Sequence, residues 1–365
     1  MAITQRHHDS IELKPSELKA ALIGCIRANV VACILGSPGI GKSDIVKQTV
    51  ADPSLLEWFK ERYGCTPKKD RPLKSMCLID ERASTMDLAD WRGVPMPDQK
   101  KQRTVWYPPD FLPTEDDGPT VVFFDEITQV KADCQPPLYQ LLLDGKLGTV
   151  YKAPSHTRFV CAGNLMDDGT FVNKLGSALR DRMVFLYVKA DLDDWTTWAY
   201  AANVAPSVIG FLRFRPEALY AFDKTQMVSP TARGWEFVSR IVQTFPGTGR
   251  VRDALIEGKI GHPWMTEFTA FERIFSTLPS VDEIVKNPSK APLPSPDKPE
   301  LAYAISNALA MKATTENFSN ILIYVDRLPE EYGVFTVKMA IRRDSKLQTL
   351  PAFTKWFVDH STAMA

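Results

Sequence analysis

Val30-Val-Ala-Cys-Ile-Leu35-Gly36-Ser37-Pro38-Gly39-Ile40-Gly41-Lys42-Ser43-Asp44-Ile-Val-Lys-Gln-Thr-Val50 is the stretch that decides how the rest of the chain is read. An apolar run short enough for a buried strand leads in, and a helix-compatible run leads out. Between them stands the spacing G-x-x-x-x-G-K-[ST], in the strand–loop–helix setting that spacing requires. Glycines at 36, 39 and 41 are expected to turn the backbone through positive φ and to bring its N–H groups close to an anion. The N-terminus of the following helix adds partial positive charge. Lys42 is then placed to reach the β- and γ-phosphates of a nucleotide, and the Ser43 hydroxyl to hold Mg²⁺. Gly36 to Asp44 are therefore the candidate nucleotide-binding residues; the plain alternative is a glycine-rich turn that binds nothing.

Working outward, Thr120-Val-Val-Phe-Phe124 is a second strand-like run, and it ends in Asp125-Glu126. Ligands of parallel sheets sit at the carboxyl ends of the strands, so this acidic pair is expected beside the loop. Asp125 suits the metal shell and Glu126 suits a base that activates water. Thr157-Arg-Phe-Val-Cys-Ala162 leads to Gly163-Asn164, where an amide could orient a water, although asparagine is also common in turns. Gly145 to Tyr151 and Thr157 to Ala162 read as two strands joined by a turn at Pro154-Ser155-His156. Arg180 and Arg182 precede a last apolar run, Met183 to Val188; ordinary surface charge and reach into a neighbouring subunit are both open to them. Ser75 to Ile79 reads as one more strand.

The helical pattern begins at Pro15 to Arg27 and Ala132 to Leu143, and after Lys189 only helices follow, among them Leu192 to Ala202, Ser207 to Phe214 and Thr231 to Phe245. A proline-rich run, Asn287 to Pro299, reads as an extended linker before a further helical tail. The expected divisions are 1–189, an α/β core; 190–286, a helical lid; and 287–365, linker and helical extension. Met86 to Pro113 is longer and richer in proline than a connector needs, and its tip Asp98-Gln-Lys-Lys-Gln-Arg103 is cationic; a solvated hairpin and an inserted loop that touches a substrate or partner are both open.

Composition closes several routes. Of 365 residues, 44 are Lys or Arg and 44 are Asp or Glu, so no global field draws the chain to nucleic acid or to an anionic membrane. The six cysteines are scattered without a C-x-x-C pair, mostly in apolar runs, where a reduced thiol is the default. No apolar run spans a bilayer, and the N-terminal residues lack the apolar centre of a signal peptide, so a cytoplasmic location is expected. His7 and His8 read as solvated tail rather than metal ligands.

Taken together, the order strand–phosphate loop, strand, strand–Asp-Glu, strand–Asn, arginine, strand, helical lid resembles that of the AAA+ ATPases. The segments D-L-A-D-W-R-G-V-P, W-Y-P-P-D-F-L-P, V-V-F-F-D-E-I, L-Y-Q-L-L-L-D-G-K-L-G, F-V-C-A-G-N, L-G-S-A-L-R-D-R-M and A-R-G-W-E-F-V-S look like the MoxR branch. The resemblance covers nearly the whole chain. It implies an α/β AAA+ P-loop NTPase core, a parallel sheet flanked by helices, with an α-helical lid and a C-terminal helical extension. By resemblance, Gly36 to Ser43 correspond to Walker A, Asp125-Glu126 to Walker B and Asn164 to sensor 1. Arg182 corresponds to the finger that reaches a neighbour's ATP, with Arg180 as second candidate, and Arg233 to the sensor-2 arginine. Met86 to Pro113 resembles the helix-2 insert, and Gly148 to Ala162 the pre-sensor-1 insert.

The expected activity is Mg²⁺-dependent ATP hydrolysis by a homo-oligomeric ring, a hexamer by resemblance. Its partner would be a protein client, in this family often one carrying a von Willebrand factor A domain or a metalloenzyme. Two departures stand out: Thr128-Gln129-Val130 follow Ile127 where relatives have Asn-Arg-Ala, and Ala232 stands where relatives have proline before the sensor-2 arginine. The competing readings are a DNA-handling AAA+ motor or helicase loader, supported by Lys100, Lys101 and Arg103; a small-molecule kinase; and a ring that binds ATP as a scaffold without turnover.

Overall fold

The structure, a computed structural model, describes residues 10–64, 76–100, 102–165, 173, 175–275, 281–295, 297 and 299–364. His7, His8, Cys65, Ser75 and Lys101 lie outside them. The chain divides into two compact units, Met1–Lys189 and Ala190–Ala365.

Along the first unit run β1 (Glu12–Leu13), α1 (Pro15–Ala28), β2 (Val31–Leu35), α2 (Lys42–Val50), α3 (Pro53–Tyr63) and β3 (Cys77–Arg82). Then come α4 (Leu88–Arg92), β4 (Val94–Asp98), β5 (Arg103–Tyr107), β6 (Thr120–Asp125) and α5 (Gln135–Asp144). The unit ends with β7 (Lys146–Leu147), β8 (Tyr151–Lys152), β9 (Thr157–Gly163), α6 (Ser177–Arg180) and β10 (Met183–Val188). Six strands form one sheet in the order β1-β10-β2-β9-β6-β3, and every neighbouring pair is parallel. This is an α/β architecture built on a parallel sheet, with the glycine-rich loop Gly36–Gly41 leaving the central strand β2. Every residue of β2, β6 and β9 is buried, which explains their unbroken apolar runs: helices cover both faces, so no alternation is needed. Leu35, Val122, Phe124, Cys161, Leu138 and Trp91 meet in the core on one side of this sheet.

Two local expectations change. The segment 145–151 does not pair with 157–162. It folds on itself, β7 against β8, turning at Gly148 with φ 54°, and β9 enters the main sheet between β2 and β6. A glycine in the middle of the run allows a left-handed turn that a β-branched residue would resist. Strand β3, expected to end at Ile79, also runs further than its apolar part, through Asp80-Glu81 to Arg82, which pairs in register with Asp125. Within Met86 to Pro113 the strands β4 and β5 form a separate antiparallel ribbon, held at its base by fully buried Trp91 against Phe111 and Phe124.

The second unit is helical: α7 (Leu192–Ala201), α8 (Pro206–Phe214), α9 (Ala232–Thr244), α10 (Arg250–Ile260), α11 (His262–Phe275) and α12 (Val281–Lys286), then α13 (Pro299–Lys312), α14 (Phe318–Val325), α15 (Glu330–Arg343), α16 (Pro351–Asp359) and α17 (Ser361–Met364). One hydrophobic core runs through all of it, from Phe211, Trp235 and Phe268 to Leu309, Tyr324 and Val337. Asn307 of α13 bonds α7 and α8: its Oδ1 accepts from the Tyr200 hydroxyl at 3.0 Å, and its Nδ2 donates to the Pro206 carbonyl at 3.2 Å. The proline-rich run lies against this body rather than bridging to another. Tyr324 donates to the Pro292 carbonyl (2.8 Å), Arg327 to the Pro288 carbonyl (2.5 Å), and Ala291 is buried.

Candidate nucleotide site

The carboxyl ends of β2, β9, β6 and β3 bring together most of the polar residues singled out in the first unit. β2 ends at Leu35, and the loop turns at Gly39 (φ 75°) and Gly41 (φ 100°) before α2 begins with Lys42. Gly36 has no positive φ, contrary to expectation. It is small because Val188 crosses above it: a Cβ at 36 would stand 2.5 Å from the Val188 Cγ1. Asp44 is exposed in the first turn of α2, where a carboxylate suits the helix dipole. Ser37, Pro38 and Ile40 complete the loop, with Ile40 buried.

Lys42 is 8% exposed. Its ammonium donates to the carbonyls of Gly36 (2.6 Å) and Ser37 (3.2 Å) and to the Asn164 Oδ1 (2.8 Å). The loop lysine and the strand-end amide therefore share one spot, as they must if both are to touch a terminal phosphate. The Ser43 hydroxyl donates to the Asp125 Oδ2 at 2.8 Å, so a hydroxyl and a carboxylate oxygen converge on one point. That pair of hard oxygens fits Mg²⁺, which binds through few protein oxygens and keeps substrate and water in its remaining positions. The other Asp125 oxygen accepts the Glu126 N–H at 2.8 Å. Glu126 itself sits at φ 58°, a left-handed conformation rare for a residue with a side chain.

The Glu126 carboxylate is engaged by two groups the sequence reading missed. Arg82 donates to Oε1 at 3.0 Å, and the Ser84 hydroxyl donates to Oε2. Both follow from the extra length of β3, which carries its end level with Asp125. The strand order sets β3 on the far side of β6 from β9 and β2. Arg82 and Ser84 thus hold Glu126 toward the sheet edge, whereas Lys42 and Asn164 lie toward the centre. A third missed residue, Thr128, is fully buried and accepts the Asn164 N–H on its Oγ1 at 3.2 Å.

Burial pushes the Cys33 thiol under the loop up to about 12, against the opposing pull of Lys42, and raises Cys161 beside it as well. Burial, with Asp110 and Asp80 nearby, also raises Glu81 above the usual carboxylate range.

Arg180 closes α6, and Arg182 donates back to the Ala178 carbonyl; the Nε atoms of both are buried without a hydrogen-bond partner. Arg233 belongs to the other unit, exposed at the second position of α9. Thr231 caps that helix, accepting the Gly234 N–H at 3.0 Å, so the helix starts at Ala232 without a proline there. No metal-binding cluster of His, Cys, Asp and Glu occurs among the described residues. No helix among them is long and apolar enough to cross a membrane.

No protein-family model and no curated protein matches the chain. Solved structures resemble it distantly. NtrX from Brucella abortus shares 13% identity over 95% of this chain and 70% of its own, with a TM-score of 0.40. NtrX in complex with ATP shares 14% over 96% and 70%, with a TM-score of 0.39. A mutant of RuvB from Thermotoga maritima shares 12% over 94% and 86%, with a TM-score of 0.32. Likeness at this level says nothing about activity, and the chemistry must be read from the side chains.

Proposed function

We propose that the chain is a Mg²⁺-dependent ATPase of the AAA+ class, MoxR-like, that works as a homo-oligomeric ring and remodels a protein partner. One observation carries the reading: Lys42 meets Asn164 while, on the next residue, Ser43 meets Asp125, all at the carboxyl ends of adjacent strands. A kinase needs the loop and the metal pair, but it does not need an amide held against the loop lysine beside a spare carboxylate.

Gly39 and Gly41 present loop N–H groups to the phosphates, and Lys42 neutralises charge there. Ser43 and Asp125 would hold Mg²⁺, which screens the phosphate oxygens when bound. Asn164 orients the attacking water, and Glu126 accepts its proton once free of Arg82 and Ser84. Arg182, or Arg180 two residues earlier, would complete a neighbour's site. A supplied arginine contributes about 10³–10⁵ in rate in other NTPases. The client would be a protein, one that carries a von Willebrand factor A domain or a metalloenzyme, acting in the cytoplasm.

Mixing two inactive variants tests the shared site. Lys42→Ala and Arg182→Ala should each hydrolyse ATP negligibly alone. In an equimolar mixed ring about a quarter of interfaces regain an intact lysine facing an intact arginine, so phosphate release should return to about that share. No recovery on mixing, or an Arg182→Ala protein with undiminished turnover, refutes the intersubunit site. The Glu126→Gln protein, held in ATP, should then retain the ring and its client for capture.

A further inference from the structure

Asn164 is the first residue beyond β9. The β9 ladder to β2 ends at Gly163 opposite Leu35, and the ladder to β6 ends earlier, at Cys161 opposite Phe124. The Asn164 N–H therefore has no strand to donate to, and a backbone donor in a half-buried site needs a partner. Thr128 supplies it through Oγ1 at 3.2 Å. The approach is close enough to dictate the preceding residue: a Cβ on Gly163 would stand 2.4 Å from the Thr128 Cγ2 and 2.7 Å from its Oγ1. Thr128 also lies two residues after Glu126, in the 3-10 turn Ile127–Gln129.

We propose that Thr128 is a positioning residue, whose hydroxyl ties the backbone of Asn164 to the turn that carries Glu126, so that the water-orienting amide and the base keep a fixed spacing. The proposal rests on the ATPase reading above. Asn164 Oδ1 already accepts from Lys42, so a shift of its backbone moves the amide relative to the terminal phosphate as well. A residue that only fills space at 128 behaves differently from one whose hydroxyl acts, and two substitutions separate the roles. Thr128→Val keeps the shape and deletes the acceptor. Thr128→Ser keeps the acceptor and deletes a buried methyl.

Steady-state phosphate release and equilibrium titration with a fluorescent ADP analogue are measured on the full chain. Thr128→Val should lower kcat by about fivefold to tenfold, the effect of one hydrogen bond, with ADP affinity unchanged. Thr128→Ser should hold kcat within about twofold while lowering Tm, as loss of a buried methyl does. In an Asn164→Ala background, Thr128→Val should cost nothing further, because its effect runs through Asn164. A Thr128→Ser protein that loses turnover, or a Thr128→Val protein that keeps it, overturns the inference; the serine variant decides the matter even if the valine variant does not fold. If the unsubstituted protein hydrolyses no ATP, the ATPase reading falls and this inference with it. If it hydrolyses ATP and Thr128→Val matches it, the inference alone falls.

Discussion

Freeing Glu126 should speed hydrolysis, and the two groups that hold it should matter unequally. Arg82 is 58% exposed and Glu126 31%, and such an ion pair contributes about 0.5 kcal/mol once solvent screening is counted. The Ser84 hydroxyl is half-buried and donates to a carboxylate; a hydrogen bond to a charged group contributes about 1.5 kcal/mol at the lower end of its range. If the carboxylate must leave both before it can take a proton from water, those energies add to the barrier. Ser84→Ala should then raise the rate about tenfold, and Arg82→Gln about twofold. Single-turnover hydrolysis with protein in excess is the assay, since product release does not mask the chemical step there. A Ser84→Ala protein slower than the unsubstituted one would refute the reasoning, because the clamp would then be the working orientation of the base and not its resting place. Equal effects from both substitutions would refute the energetic ranking.

Lys42→Ala should weaken ADP binding by about two orders of magnitude, the loss of a charged hydrogen-bonding group, with the far-UV circular dichroism unchanged; equilibrium titration checks both. Gly163→Ala should destabilise the first unit by roughly 1–3 kcal/mol in urea unfolding, because its Cβ collides with Thr128. Acid stability offers another test. The hydrogen bonds from Lys19 and Ser54 hold the Asp52 carboxyl at about 2, below its value of about 3.9 in an unfolded chain. A depressed folded pKa adds stability that is complete above about pH 4 and is lost as pH falls toward 2. Asp52→Asn should therefore be less stable than the parent at pH 6 and equal to it near pH 2, by thermal unfolding across that range.

The phosphate loop was legible because everything that defines it is local: a strand, three glycines, a lysine and a hydroxyl within a few residues. Asp125-Glu126 and Asn164 were legible because each ends an apolar run, and a parallel sheet gathers such ends at one edge. Arg82 and Ser84 were not, since Asp80-Glu81-Arg82 looks like a charged loop until its pairing with β6 is seen. Thr128 stood out only as a departure from the pattern of the family the sequence resembles. Its role depends on a backbone N–H 36 positions along the chain, and no periodicity reports that. Gly36 was assigned to the right loop for the wrong reason: the constraint is Val188 overhead and not a positive φ. In the helical unit, the run Asn287 to Pro299 carries the composition of a linker. Proline lacks an N–H but keeps its carbonyl, and Tyr324 and Arg327 anchor the run through two of those carbonyls.

That anchoring bears on where the chain can be cut. A fragment ending at Lys286 would keep α7 and α8 and lose α13, taking Ile305 and Leu309 out of the shared core and leaving the Tyr200 hydroxyl and the Pro206 carbonyl without Asn307. Such a fragment should aggregate or be degraded, although the sequence invites a break there. Limited proteolysis within residues 287–298 should likewise leave the two pieces together until denaturant is added. The helices beyond the proline run are thus an obligate half of one folding unit, and any mutation screen should treat a stop codon after Lys286 as a null allele.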